Sequence, residues 1–240
     1  MFLAVALLVA PLSSAAGNRL EEFPQLVLWA WERPEDLRFL AGRDTGVAFL
    51  AATVRLSRGE TQVVRRRQPL LVDPATPLMA VMRVERVRGA RVLLTAEQRE
   101  AVVSTALRAA RLPRVSAVQI DGDATLSERD FYRAALTELR GRLDQRLGLS
   151  LTALASWCAG DRWLEGVPVD ETVPMLFQMG ADAAAIRARA AAGRLAPECR
   201  AATGLATNEA FVRPSGRVYL FSPEPWTAGL YEAALGRISP

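Results

Sequence analysis

The sequence contains no histidine and no lysine, because all thirty of its basic residues are arginine. Without histidine, a Ser-His-Asp triad, a Cys-His pair and a His-ligated zinc site are all excluded. Any catalytic chemistry must therefore use carboxylates, tyrosine, cysteine or arginine.

Cysteine is also scarce, since the chain has only Cys158 and Cys199. Two cysteines could form a disulfide in an oxidising compartment. However, Cys158 follows one predicted strand and Cys199 lies near the start of another, which would place them at opposite ends of a barrel. A disulfide needs Cα atoms within about 7 Å, so this topology argues against the bridge, and the pairing stays open.

Positive charge is not concentrated anywhere that would predict nucleic-acid binding. The net charge is +4, and the one dense basic run is Arg65-Arg66-Arg67. No basic stripe interleaved with aromatic residues and no nucleic-acid-binding module is recognisable. We interpret the run as a solvated strand edge protected by charge, and we expect no nucleic-acid partner.

The one apolar leader, residues 1–16, reads MFLAVALLVAPLSSAA. It predicts a secretory signal peptide cleaved after Ala15 or Ala16, with a mis-set start codon on a longer leader as the alternative. It is too short to span a bilayer, which takes about 20 apolar residues. We therefore expect a periplasmic or secreted protein with no stable membrane span after cleavage. Residues 17–240 then form a single domain, and half of the whole sequence is apolar.

Short, nearly continuous apolar runs recur along the chain, as is typical of strands buried on both faces. Eight of them begin at Gln25, Val47, Leu78, Ala117, Leu149, Thr172, Cys199 and Arg217.

Helical patterns separate several of these runs. Capping boxes predict helix starts at Thr95 with Gln98 and at Thr125 with Glu128, the second helix ending at Gly148. Further helices are predicted over residues 32–42, and from an Asp182 cap to a stop at Gly193.

This alternation predicts an α/β fold, a TIM-like (β/α)8 barrel of parallel strands. Two connections break the pattern: a β-ribbon turning near Gly59 follows the second strand, and only a turn at residues 214–216 joins the last two. We therefore predict an irregular barrel with one or two crossover helices missing. An open doubly wound sheet is the alternative, although no glycine-rich phosphate loop follows the first strand.

Two aspartates mark the end of the fourth predicted strand, in SAVQIDGDATLSE. Asp121 and Asp123 are two residues apart, so their side chains point the same way. Two crowded carboxylates raise one pKa, which suits a general acid. The alternative is that they cap the next helix or pair with Arg83, and for Glu128 we favour capping.

Other polar and aromatic residues fall at the ends of the predicted strands, which meet at one face of a barrel. Indole faces and carboxylates are suited to binding sugar rings and hydroxyls. Trp157 and Trp226 could equally belong to the core. We predict Glu209 as a further catalytic carboxylate, and as substrate-binding residues Trp29, Trp31, Glu32, Arg83, Glu85, Gln119, Trp157, Gln178 and Trp226.

Four segments resemble a bacterial family catalogued as domain of unknown function 3142. They are LVLWAWERPEDLRFL, QIDGDATLSERDFYR, LTALASWCAGDRWL and VDETVPMLFQMG. The resemblance covers almost the whole mature chain, and it implies no activity.

A more distant resemblance is to the chitinase-like barrels of glycoside hydrolase family eighteen, whose fourth strand ends in D-x-x-D-x-D-x-E. That motif falls on Ser116, Gln119, Asp121 and Asp123, where only Asp121 matches and Asp123 replaces the acidic glutamate.

The sixth strand of that family carries M-x-Y-D. Here Met175 is kept, while Phe177 and Gln178 replace the tyrosine and aspartate. Trp226 could stand for the family's tryptophan near the eighth strand. The resemblance implies the scaffold and the location of the site, whereas Phe177 puts the substrate-assisted mechanism in doubt.

Three hypotheses follow. The first is a secreted glycoside hydrolase with Asp123 as acid, Asp121 tuning it, and Glu209, Glu85 or Glu32 as the second carboxylate. The second is a non-catalytic carbohydrate-binding barrel. The third is a divalent-metal site on Asp121, Asp123 and another carboxylate. The first two need a glycan or similar polyhydroxylated ligand and no cofactor.

Overall fold

The computed structural model describes residues 18–87, 89 and 92–238. The predicted signal peptide, residues 1–16, lies outside these residues. No helix within the described ranges is long and apolar enough to cross a bilayer.

Eight parallel strands close into a ring in chain order, with β1 paired to both β8 and β2. Closure confirms the TIM-like barrel and rules out the open sheet. Each strand coincides with one of the eight predicted apolar runs. They are β1 (Leu26–Ala30), β2 (Gly46–Ser57), β3 (Leu78–Arg86), β4 (Val115–Gly122), β5 (Gly148–Leu154), β6 (Glu171–Met175), β7 (Ala202–Ala206) and β8 (Arg217–Phe221).

The helices lie outside this ring, and both predicted capping boxes are present. The second box opens a 3-10 turn that leads into α2. This helix ends at Arg142, and not at Gly148, which instead begins β5. The helices are α1 (Ala96–Ala109), α2 (Arg129–Arg142), α3 (Ala155–Cys158), α4 (Ala183–Ala191) and α5 (Ala228–Ile238).

The two connections predicted to lack a helix do lack one. An antiparallel strand, Glu60–Arg65, returns from β2 through a turn at Gly59, and we call β2 with this strand the hairpin. A loop without helix joins β7 to β8.

The helix predicted over residues 32–42 is wrong. A two-residue strand, Glu35–Asp36, pairs there with Leu70–Leu71, and a 3-10 turn follows. The buried Glu35 carboxylate accepts hydrogen bonds from Arg33 and from the main-chain N–H of Trp226. These contacts with distant parts of the chain outweigh the local helical pattern.

Apolar side chains form two separate clusters, one inside the ring and one between the ring and the helices. Alternation along each strand produces this division. In β4, Ala117 faces inward and Val118 outward. Leu20 and Phe23, from the segment before β1, belong to the inner cluster and close the amino-terminal end of the barrel.

Cys158 and Cys199 form a disulfide, with their Cα atoms 5.8 Å apart. The topological argument against this bridge is therefore wrong. The chain turns back at α3 directly after β5, so Cys158 lies beside β6 on the outside of the ring. The 3-10 turn that contains Cys199 packs against the same strand.

Candidate functional site

A cavity of about 480 Å³ opens at the carboxyl-terminal end of the barrel, where TIM barrels place their active sites. Its volume falls within the roughly 300–1,000 Å³ range of small-molecule sites. The structure brings seven of the predicted site residues to its lining: Trp29, Trp31, Arg83, Gln119, Asp121, Asp123 and Gln178.

One wall of the cavity is acidic and is formed by β3, β4 and β5. Asp121 is only 7% exposed, and Thr152 donates a 2.7 Å hydrogen bond to its Oδ1. Burial raises the pKa of Asp121, and the negative charge of Asp123 acts in the same direction, while Arg83 and Thr152 oppose the shift. Asp123 itself is exposed at the rim. A buried carboxyl and an accessible one therefore share this wall.

Arg83 connects the acidic wall to the aromatic residues. It is the register partner of Asp121 across β3 and β4, and its Nη1 lies 3.4 Å from Oδ2 of that residue. Its Nε lies 3.3 Å from Glu85, and its guanidinium stands 5.4 Å from the ring centroid of Trp31. The pairing of Asp121 with Arg83 that we weighed as an alternative is thus present as a long contact.

The facing wall is aromatic. In a ring of eight strands, β8 lies across from β4 and β1 lies across from β5. Phe177 and Phe221 stack at 5.6 Å between centroids, Trp29 meets Phe177 edge-on at 6.2 Å, and Trp31 meets Phe221 edge-on at 6.1 Å. The cavity therefore has apolar ring faces opposite its carboxylates.

Gln119 lies at the inner end of the cavity and uses both ends of its amide within the protein. Its Oε1 accepts a 2.7 Å hydrogen bond from the Trp29 indole, and its Nε2 donates to Ser150, its register partner on β5, at 3.0 Å. Gln119 therefore fixes the orientation of Trp29, with one N–H donor and one acceptor site of its amide used within the protein.

Below Gln119, a buried network fills the barrel interior. Glu171 accepts hydrogen bonds from Tyr219 at 2.5 Å and Ser150 at 3.2 Å, and it forms an ion pair with Arg217. Desolvation raises the pKa of Tyr219 well above its usual value, so its hydroxyl stays a donor. Sequence reasoning missed the Glu171–Arg217 pair, because nothing local shows that β6 and β8 bring them together.

Both tryptophans that we noted as possible core residues lie outside the cavity. Trp157 is buried on α3, edge-on to Trp163 at 4.9 Å. Trp226 is buried behind β1, and its indole donates a 2.9 Å hydrogen bond to the carbonyl oxygen of Trp29. Neither tryptophan lines the cavity, contrary to our expectation, because a position near a strand end does not decide which side of the ring a residue faces.

The three glutamates proposed as the second carboxylate do not line the cavity. Glu209 accepts 2.8 Å hydrogen bonds from Arg187 and from the main-chain N–H of Gln178. Glu85 pairs with Arg55 at 2.7 Å. Glu32 is exposed and accepts a hydrogen bond from a main-chain N–H of the hairpin region.

Three further polar residues line the cavity, Thr152, Ser156 and Asp182. Thr152 lies two residues after Ser150 and faces inward for the same alternation reason as Asp121, which could have identified it. Asp182 was predicted as a helix cap, but its side chain makes no capping hydrogen bond.

No group of three histidine, cysteine, aspartate or glutamate side chains comes together as a metal site within the described ranges. The metal hypothesis on Asp121, Asp123 and a third carboxylate therefore finds no support in the geometry.

No protein-family model and no curated protein sequence matches the chain. The resemblance to domain of unknown function 3142 is therefore not confirmed.

Several solved structures are similar to the chain, among them two spore cortex-lytic enzymes and one chitinase domain. The spore cortex-lytic enzyme SleL of Bacillus cereus matches with a TM-score of 0.50 at 14% identity, over 76% of this chain and 51% of that one. SleL of Bacillus megaterium QM B1551 matches with a TM-score of 0.51 at 11% identity, over 76% and 50%. The chitinase domain of the Clostridium difficile spore coat protein CotE has a TM-score of 0.43 at 12% identity, over 63% and 49%.

The chain spans about half the length of these neighbours. At such low identity, the likeness to the two SleL structures shows the barrel fold alone. The barrel scaffold that we predicted is confirmed at that level.

Proposed function

We propose that this protein is an exported, carbohydrate-active barrel that hydrolyses glycosidic bonds in the cavity at its carboxyl-terminal end. One observation carries the proposal: the pair Asp121 and Asp123 faces an aromatic wall across a cavity of about 480 Å³. Aromatic faces stack on the apolar faces of sugar rings, while carboxylates accept hydrogen bonds from hydroxyls.

In this proposal Asp123 donates the proton to the glycosidic oxygen, since it is the accessible acid on the wall. Asp121 tunes it from the buried position behind. Because burial raises the pKa of Asp121, this carboxyl holds its proton to higher pH than a surface aspartate would.

Hydrolysis also needs a base or nucleophile on the opposite side of the sugar. None of Glu209, Glu85 and Glu32 lines the cavity, whereas Asp182 does. We therefore assign the second carboxylate role to Asp182, which comes from the 3-10 turn after β6.

Two observations support export. The disulfide between Cys158 and Cys199 is typical of oxidising compartments, and residues 1–16 have the pattern of a signal peptide. The neighbours that share the fold are named spore cortex-lytic enzymes. We therefore propose a cell-wall or related structural glycan as the substrate class, acted on outside the cytoplasm.

The test is turnover of a glycan panel that includes spore cortex, other cell-wall preparations and chitin. Wild-type protein is compared with Asp123→Asn and with Asp130→Asn, a matched change at an exposed acid of α2. We expect Asp123→Asn to lose roughly 10²–10⁴-fold in rate, as removal of a general acid does, and Asp130→Asn to keep full activity. No turnover by wild type on the whole panel contradicts the hydrolase.

A specific observation favours a non-catalytic carbohydrate-binding barrel as the second candidate. Asp121 is held by Thr152 and Arg83, and Phe177 offers no hydroxyl where the chitinase-like pattern has tyrosine. Glycan binding would then survive Asp123→Asn and fail in Trp31→Ala. Phe211→Ala, a partly buried aromatic change outside the cavity, is the control. Trp157→Ala cannot serve this purpose, because Trp157 lies in the outer core.

A further inference from the structure

The run Arg65-Arg66-Arg67, at the end of the hairpin, is not uniformly exposed to solvent. Arg65 and Arg67 are exposed, as the sequence predicted, but Arg66 is half-buried. No ion pair of Arg66 occurs among the residues that the structure covers. Desolvation lowers the pKa of its guanidinium, while the nearby charges of Glu32 and Glu35 oppose that shift and Arg33 adds to it.

What holds Arg66 in place is a set of main-chain carbonyl oxygens. Its Nη1 lies 2.5 Å from the oxygen of Trp31 and 3.4 Å from that of Ala30, and its Nη2 lies 2.6 Å from that of Arg33. Its Nε donates to Gln68 at 3.0 Å. One planar side chain thus ties the hairpin to the loop after β1.

These carbonyls belong to the chain as it leaves the sheet, where strand pairing ends and acceptors need other partners. Trp31 is the residue that this turn presents to the cavity. Its ring touches Phe221 and Arg83 on the cavity side, while Arg66 holds its main chain from behind. Nearby contacts strengthen the connection, since Glu35–Asp36 pairs with Leu70–Leu71 directly after the hairpin.

We propose that Arg66 is a positioning residue that fixes the loop after β1, and through it holds Trp31 in place on the aromatic wall. The hairpin replaces a crossover helix and delivers a guanidinium behind the site. The effect on ligand affinity rests on the proposed function, but the effect on the placement of Trp31 does not.

Tryptophan fluorescence tests the placement without any ligand. Acrylamide quenching is compared for wild type, Arg66→Ala, Arg66→Lys and the exposed control Arg65→Ala, each also in a Trp31→Phe background. We expect quenching to rise in Arg66→Ala and, less so, in Arg66→Lys, because the single nitrogen of lysine cannot span the carbonyls that Arg66 reaches from three nitrogens. The rise should disappear in the Trp31→Phe background.

Equal quenching of folded Arg66→Ala and Arg65→Ala overturns the proposal. If Arg66→Ala does not fold, Arg66→Lys carries the same comparison, and wild-type quenching in that variant overturns it as well.

Ligand binding gives the second readout. For a glycan that wild type binds, affinity should fall about five- to ten-fold in Arg66→Ala, as for loss of one aromatic contact, and stay unchanged in Arg65→Ala. Any loss of turnover should appear in KM more than in kcat, whereas a uniform loss of both contradicts a positioning role. If wild type binds no glycan, the proposed function fails, while the quenching result still decides the role of Arg66.

Discussion

Two arginines hold the main chain on either side of β1, one at the base of the barrel and one at its mouth. Arg217 donates to the carbonyl oxygens of Pro24, Phe23 and Leu20, and it also pairs with the buried Glu171. Arg66 donates to the carbonyls that follow β1 and has no carboxylate partner in the described structure.

The buried carboxylates at these two ends, Glu171 and Asp121, also differ in how many donors bind them. Glu171, with a side chain 0% exposed, has donors from Arg217, Tyr219 and Ser150. Asp121 has one short hydrogen bond and a distant guanidinium. A buried acid whose partners are complete stabilises the fold, whereas one with incomplete partners is available for chemistry. The acid at the base is therefore held by three donors, whereas the acid at the mouth has one short hydrogen bond and one long ion pair.

The largest loss of stability is expected when the buried acid at the base of the barrel is removed. Glu171→Ala leaves the Arg217 charge buried without its partner, and we expect a loss of about 3–5 kcal/mol in the free energy of unfolding. Glu209→Ala, which breaks the Arg187 pair at the rim, should cost less than about 1 kcal/mol. Urea unfolding measures both free energies. Similar losses in the two variants would contradict a larger contribution from the buried ion pair at the base.

The strands of the barrel and the position of its two aspartates could be predicted from the sequence. Continuous apolar runs predicted all eight strands, because strands buried on both faces leave that pattern in any context. The spacing of Asp121 and Asp123 likewise placed both on one face of β4.

The failures share a physical cause. Trp157 and Trp226 are near strand ends, but a one-turn helix and a backward fold of the chain carry them outside the ring. Glu171 and Arg217 pair across strands 46 residues apart in sequence. Glu35 lies in a strand paired with Leu70–Leu71, and its carboxylate accepts a hydrogen bond from the main chain of Trp226. Contacts of this kind exist only after the ring has closed.

The disulfide stabilises the wall between base and mouth and gives the next largest effect. Replacing both Cys158 and Cys199 by alanine should lower the free energy of unfolding by about 2–4 kcal/mol, since their separation of 41 residues closes a long loop. Thermal unfolding with and without reductant measures it. Reductant should destabilise wild type only, and an equal response of the double variant would contradict the assignment.

A smaller loss of stability is expected when Glu171 loses only one of its hydrogen-bond donors. Tyr219→Phe removes one hydroxyl donor while leaving the Arg217 pair, and we expect a cost of about 1.5–3 kcal/mol, as for a hydrogen bond to a charged group. Thr152→Val at the mouth is the matched comparison, because it removes a donor from Asp121. Urea unfolding of both variants should show the larger loss at the base, and the reverse order would contradict our comparison.

The smallest expected effect is a gain in stability rather than a loss. Because the pKa of Asp121 is raised in the fold, the folded state binds this proton more tightly than the unfolded state does. Wild-type stability should therefore decline as pH rises from the ordinary aspartate pKa through the raised one. Asp121→Asn should remove that decline, so that near neutral pH it is at least as stable as wild type. Unfolding measured across this pH range checks it, with Asp130→Asn, at an exposed acid of α2, as the control. If Asp121→Asn keeps the decline, the decline belongs to another group.

The disulfide between Cys158 and Cys199 also determines how proteolytic cleavage of this protein would be detected. The covalent loop it closes contains β6, α4 and six cavity residues, with Phe177, Gln178 and Asp182 among them. A protease that cuts inside this loop would leave two fragments joined by sulfur, which migrate as one band on a gel until reductant is added. Intact mass measured without reductant would then change only by the water added at the cut.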